Sequence, residues 1–302
     1  MDPISLGVIA ILRENGRATY TEIANQLSSS RNVVAPKVRA LLDSGEYEVI
    51  AAVHPEILNL HTMVHIAIRV RGPVRPVLQT VYQLHRAVFV SQTDGNYQLI
   101  LELHCADDAE LATLLSQIRS IESVSDMRFH RYQRIVRSAY LGDHYSVPNI
   151  TVDSTDMKIL RSLQQNGRTP ISEVAAETGI SISSCRTRMN RLIETGAMRV
   201  SLVRQQSSDN GYLLVGMGLA VRNDPDRVIE FFAGLQNAEF IARTLGDFDI
   251  ITTILVESPS KLVDLLQQLD ELDVVVTREV WLHMSIAFEK YQRTIDAQLI
   301  PE

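Results

Sequence analysis

Residues 181–196 read Ser181-Ile182-Ser183-Ser184-Cys185-Arg186-Thr187-Arg188-Met189-Asn190-Arg191-Leu192-Ile193-Glu194-Thr195-Gly196. Cys185, Met189 and Leu192 fall at i, i+4 and i+7, the spacing of one buried helical stripe. Ser181 is placed to cap the helix start and Gly196 to stop its end. The other faces carry Ser181, Ser183, Ser184, Arg186, Thr187, Arg188, Asn190 and Arg191 against a single carboxylate, Glu194. Arginine reads guanine edges bidentately or clamps phosphate, and Ser, Thr and Asn suit either task. A solvated helix can also carry three arginines, so the flanking segments decide.

Upstream, Met157, Ile159, Leu160 and Leu163 repeat at helical spacing until Asn166-Gly167. A second helix is expected over 172–178, after Pro170, with Val174 and Ala175 inward and Gly179 closing it. Three short helices with a glycine turn before the third form a helix-turn-helix. Residues 198–204 alternate like the strand of a wing.

A constant offset of 151 carries the first half of the chain onto the second. Asn15-Gly16-Arg17 falls on Asn166-Gly167-Arg168, Ser30 on Ser181, Gly45 on Gly196 and Gly95 on Gly246. One gapless register over that distance marks a duplication. Within each copy the texture changes once. The first copy reads as strand 65–70, helix 74–85, strands 88–93 and 97–103, helix 107–119 and strand 124–136. That β-α-β-β-α-β order is ferredoxin-like, and it repeats from Tyr212 to about Phe288. The expected class is α+β, with two winged helix-turn-helix and two ferredoxin-like domains in tandem. The expected boundaries are winged helices at 1–55 and 154–206, ferredoxin-like domains at 60–140 and 210–290, a linker at 141–153 and a tail at 291–302.

The segment from Asp156-Met157-Lys158-Ile159-Leu160 through Gly167-Arg168, with Ile180-Ser181 and Arg188-Met189-Asn190-Arg191-Leu192 to Gly196, resembles the helix-turn-helix signature of the Lrp/AsnC (feast/famine) regulators. The resemblance covers nearly the whole chain, twice. It implies a non-enzymatic, sequence-specific binder of double-stranded DNA whose ferredoxin-like domains assemble homo-oligomers and bind a small effector of the amino-acid class. Gly246-Asp247-Phe248-Asp249 resembles the family's glycine-acid-aromatic-acid turn, which marks Gly246, Asp247 and Asp249 as effector-binding candidates. Sirohaem decarboxylases join two such halves as well, so a decarboxylase-like or haem-binding protein is the alternative.

The copies are not equal. Pro36 stands where the second copy has Thr187, and proline inside a helix costs about 3 kcal/mol unless it lies in the first turn. Arg31, Lys37 and Arg39 keep that segment basic, which suits a secondary, phosphate-type contact. The first turn, Gly95-Asn96-Tyr97-Gln98, has lost both acids.

Bulk properties exclude several classes. Of 302 residues 45% are hydrophobic and 22% charged, as in an ordinary globular protein, and the net charge of −7 argues against a non-specific nucleic-acid coat. The N-terminus lacks a basic n-region and no stretch reaches the length of a membrane span, so a cytoplasmic protein with no membrane partner is expected. Cys105 and Cys185 show no pairing pattern. Cys185, beside Arg186 and Arg188, reads as core rather than as a redox switch. His61 and His65 lie four apart, but a strand is expected by His65, so neither metal nor cofactor is assigned. Arg128, Arg131, Arg134 and Arg137 recur every third residue and read as a solvated face, with DNA or linker contact as alternatives. No catalytic dyad, phosphate loop or nucleotide fingerprint occurs.

Overall fold

The computed structural model describes residues 2–142, 148–204 and 211–289. The first copy opens with α1 (Pro3–Glu14), α2 (Tyr20–Gln26), α3 (Arg31–Asp43) and β1 (Tyr47–Val53), and the second with α6 (Ser154–Gln165), α7 (Ile171–Thr178), α8 (Ile182–Glu194) and β6 (Met198–Arg204). The first ferredoxin-like unit is β2 (Thr62–Val70), α4 (Arg75–Tyr82), β3 (Ala87–Thr93), β4 (Leu99–Cys105), α5 (Asp108–Arg119) and β5 (Val124–Ser138). The second is β7 (Leu213–Val221), α9 (Pro225–Ala233), β8 (Ala238–Leu245), β9 (Ile250–Val256), α10 (Pro259–Asp270) and β10 (Val275–Glu289). The fold class is the expected one. The expected linker lies partly, and the expected tail wholly, outside the described residues.

Local chemistry explains the helices. Asp153 and Asp156 form a reciprocal capping box on α6, and Ser181 Oγ accepts from the Ser184 N–H at 3.1 Å at the start of α8. Ser30, the counterpart in the first copy, makes no such cap bond. Helix α3 does not start late: it begins at Arg31 and takes Pro36 into its interior, where the ring leaves the Asn32 carbonyl without its helical donor.

The wings differ from expectation. Each helix-turn-helix is followed by one strand, and the two strands pair with each other, β1 antiparallel to β6 with Ile50 opposite Ser201. They also exchange cores. Ala51 and Val53 of β1 pack with Met157, Leu160, Cys185 and Leu192 of the second head, while Leu202 of β6 joins Leu12, Ile23 and Val34 of the first. An approximate dyad runs between the strands. Gly16 N–H donates to the Val200 carbonyl at 2.8 Å and Gly167 N–H to that of Val49 at 3.3 Å. A Cβ on Gly16 would sit 2.8 Å from Val49 and one on Gly167 2.9 Å from the Ile50 backbone, so this crossing needs glycine.

The ferredoxin-like sheets close on one another in the order β10-β3-β4-β2-β5-β8-β9-β7, an eight-stranded barrel with no free edge. Helices cover the outside. Val64, Ile66, Leu101, Val77 and Leu115 fill the layer between sheet and helices in the first unit, and Val215, Met217, Val228, Phe232 and Leu269 do so in the second. The two sheets face each other through Ala67, Phe89, Tyr97, Ile100, Ile251 and Trp281. Pairing is therefore within the chain, and the apolar sheet faces do not themselves require a second copy.

Candidate functional site

On α8, Cys185, Met189 and Leu192 are buried as the spacing requires. Ser181, Ser183, Arg186, Thr187, Asn190 and Arg191 are exposed, while Ser184 and Arg188 are half-buried. The arginines are not equivalent. Arg188 Nη1 donates to Asp153 Oδ2 at 2.7 Å and Asp156 Oδ1 at 2.9 Å, and Arg191 Nη2 donates to Asp156 Oδ2 at 2.5 Å. Asp156 is fully buried, so α6 holds both guanidinium groups from behind. The hydrogen bonds from Arg188 to Asp153 and then Asp156 push its guanidinium further up in pKa. Each guanidinium has five N–H donors in a fixed fork, so both keep donors for a ligand in front. Among the described residues Arg186 makes no ion pair. Sequence reasoning treated the three arginines alike and gave no role to Asp156, because its position in the first turn reads as an ordinary cap.

In the first copy Arg31 and Arg39 are exposed, with Arg39 Nε turned back to the Ala35 carbonyl at 3.4 Å. Lys37, expected to meet phosphate, instead donates to Asp2 at 2.8 Å and ties α3 to the start of α1. Cys185 is fully buried and burial pushes its thiol up, with Arg17 opposing, so it serves as core. The repeating arginines of β5 are not simply a solvated face. Arg128 meets Glu279, Arg131 meets Asp108, and Arg137 donates to the carbonyls of Leu235 and Ala233 at 2.6 and 2.8 Å.

The two turns of the barrel are near-copies. Asp249 accepts the Val221 N–H at 2.7 Å, and neutral Gln98, its counterpart, accepts the Val70 N–H at 2.9 Å. That bond belongs to the turn and does not need the charge. Asp247 is exposed and pairs with Arg128 Nε at 3.2 Å. Gly246 lies at φ +146°, and a Cβ there would stand 2.6 Å from the His130 ring.

The barrel interior holds histidines to which the sequence assigns no role. His65 and His130 are cross-strand partners on β2 and β5. Burial pushes His130 down to about 4 and His65 well below the usual imidazole value. His283 is pushed down to about 3 by burial, and receives the Trp281 indole N–H at 3.2 Å on Nε2. Helical spacing does not pair them, because these neighbours lie 65 positions apart across a sheet. A signal did exist: the 151 offset sets His65 and His130 against Gly216 and Trp281.

Residues 1–45 and 152–197 each match the family model of winged helix-turn-helix DNA-binding domains. The HTH-type transcriptional regulator LysM of Sulfurisphaera tokodaii is 29% identical over 103 residues, 34% of this chain and 74% of that protein. The HTH-type transcriptional regulator FL11 of Pyrococcus furiosus is 26% identical over 126 residues, 41% and 83% of the two chains. Each half of the chain thus resembles the Lrp/AsnC-type regulators, the two being joined in tandem. The chain also matches a solved structure along most of its length. The sirohaem decarboxylase NirDL, in complex with an iron-uroporphyrin III analogue, superimposes at a TM-score of 0.66 over 94% of this chain and 92% of that one. At 13% identity that likeness is one of fold.

Proposed function

We propose that this chain is a cytoplasmic transcription regulator that binds specific double-stranded DNA through α8 and is controlled by a small metabolite. One observation carries the reading: α8 presents Ser183, Arg186, Thr187 and Asn190 outward, while Arg188 and Arg191 are held behind them by Asp156. Arginines fixed in this way lose little side-chain freedom on meeting a phosphate or a base edge. The first head, with Pro36 inside α3 and Lys37 bound to Asp2, contributes the weaker, secondary contact through Arg31 and Arg39.

Footprinting and salt-dependent binding on the DNA upstream of its own gene test the reading. The Arg186→Ala/Arg188→Ala variant should lose more specific affinity than Lys37→Ala/Arg39→Ala, and the reverse order overturns the assignment of the heads. For control, the exposed Asp247 carboxylate beside Gly246 is the group that would receive the amino group of an amino-acid effector, with Asp249 shaping the turn. Asp247→Asn should then weaken the response to the effector without weakening DNA binding. Because the sheet faces cover each other within the chain, homo-oligomers would use the helical outside of the barrel; light scattering tests whether they form.

The haem-pathway reading has one observation in its favour. A cavity of about 750 Å³, lined in part by Arg13, Arg137, Arg199 and His283, lies between α1 and the barrel. Its arginines are already engaged, Arg13 with Glu239, Arg137 with backbone carbonyls and Arg199 with the Arg13 carbonyl. Guanidinium groups bound to carbonyls keep their charge and spare donors, so the preference for the regulator reading rests on α8 and on the helix-turn-helix match in each half. Visible absorbance of the protein mixed with haem or sirohaem separates the two.

A further inference from the structure

His65 and His130 stand side by side on the inner face of the barrel, ring centroids 6.0 Å apart, with 6% and 1% of their surface exposed. Among the described residues none of their four ring nitrogens has a hydrogen-bond partner. A buried polar atom left unmatched costs about 1–3 kcal/mol, so two whole imidazoles in this condition need an explanation. Both line a cavity of about 150 Å³ that opens at the exposed turn of Asp94, Gly95 and Asn96.

The walls define what fits. Trp281 lies 5.5 Å from His65, and Phe248 stacks on His130 at 5.0 Å with only 17° between the ring planes, so the lining is flat and aromatic. A cavity near 150 Å³ is about the size that takes one six-membered ring. An anion is disfavoured, because the one cation in the wall, Arg128, is already paired with Glu279 and Asp247. A metal ion is disfavoured too, since no group of three His, Cys, Asp or Glu side chains occurs among the described residues and a stable site needs at least three protein ligands. With burial keeping both imidazoles neutral, each offers one donor and one acceptor.

We infer that this cavity binds a neutral monocyclic nitrogen heterocycle, whose ring donors and acceptors are met by His65 and His130 and whose faces are met by the aromatic wall. The site is a product of the duplication. In the second copy the counterparts are Gly216 and Trp281, and the indole occupies the space that a Cβ on Gly216 would take, with Nε1 2.0 Å from it. Only one such site is therefore made per chain. Asp247 does not line the cavity but adjoins it through Arg128 and Phe248, and the site stands whether or not α8 binds DNA.

Trp281 is the one tryptophan of the chain, so its emission reports on this wall. The full-length protein should be titrated with uracil, imidazole and nicotinamide, with benzene and L-alanine as comparisons. The expected result is a saturable change in emission with at least one heterocycle, a much weaker one with benzene and none with L-alanine. His65→Leu and His130→Leu should each weaken that binding about tenfold. Should either variant fail to fold, histidine-ring ¹H–¹⁵N spectra of the unaltered protein decide, because the bound heterocycle should shift the ring nitrogens of both residues. No saturable response to any heterocycle, an equal response to benzene, or unmoved ring nitrogens would overturn the inference and leave the cavity to water.

Discussion

Arg128 and Glu279 hold equivalent positions in the two copies, 151 residues apart, and their side chains meet at 2.8 Å, Nη1 to Oε2, across the approximate dyad. Two identical chains would place like residues at that point; the duplicated chain has made one cationic and the other anionic. Glu279→Arg should therefore set two guanidinium groups together and lower the melting temperature, and adding Arg128→Glu should recover most of the loss. Both side chains are about a third exposed, so the pair is worth about 1 kcal/mol, or roughly 2–4 °C. A double reversal that melts no higher than the single variant would show that the pair does not hold the dyad.

The duplication, the helix-turn-helix of the second copy and the β-α-β-β-α-β order were all legible in the sequence, because each rests on local periodicity and turn chemistry. Which strand pairs with which was not. The pairing of β1 with β6 and the closing of the barrel depend on surfaces about 150 residues apart, and a period-two pattern specifies a buried face without naming its partner. The same limit hid Asp156, whose partners Arg188 and Arg191 are on another helix, and His130, whose neighbour is set by sheet register. The repeated Asn-Gly-Arg triplet was read as a helix stop. Its arginines in fact fasten the heads: Arg17 donates to the carbonyls of Gly167 and Thr169, and Arg168 to those of Gly16 and Ala18.

Those reciprocal bonds give a test of the dyad. Arg17→Ala and Arg168→Ala should cost similar amounts, about 1–3 kcal/mol each for losing charged hydrogen bonds to half-buried carbonyls. Chemical denaturation of the single variants measures this. A large cost from one and none from the other would mean that the two heads are not held symmetrically.

Gly216 and Gly218 are required by packing rather than by backbone angle. A Cβ on Gly216 would lie 2.0 Å from the Trp281 indole, and one on Gly218 2.2 Å from the Phe248 ring. Alanine at either place should cost about 1–3 kcal/mol by overpacking. Gly216→Ala should also alter the emission of Trp281, which a change confined to the heads would leave alone.

Acid should destabilise the fold in a defined window. Unfolded imidazoles protonate near 6.5, whereas burial holds His54 and His130 down to about 4 and His283 to about 3, with His65 also well below its usual value. Between pH 6.5 and about 4 these histidines bind more protons unfolded, which lowers stability as pH falls by up to about 1.4 kcal/mol per pH unit for each, while Glu289, pushed by burial up to about 7, offsets one of them. Melts at pH 7.5, 6 and 5 should show this slope, and His283→Gln should make it shallower by one proton. An acid limb unchanged in that variant would remove His283 from the account.

The final prediction concerns Asp156, which touches no ligand itself. Its carboxylate is fully buried and binds Arg188 and Arg191, so Asp156→Asn should leave two guanidinium groups less firmly placed on α8. Some stability is lost too, about 1–3 kcal/mol, since charge-assisted bonds to a buried group are weakened. Stability and recognition can be separated by measuring binding well below the melting transition. If Asp156 only supports the fold, affinity there is unchanged; if it positions the arginines, specific affinity drops while non-specific binding, which depends on charge, holds or rises. The removed negative charge acts in the opposite direction, favouring all DNA alike, so the ratio of specific to non-specific affinity is the quantity to compare. A ratio equal to that of the unaltered protein would show that Arg188 and Arg191 reach DNA without help from α6, or do not read it.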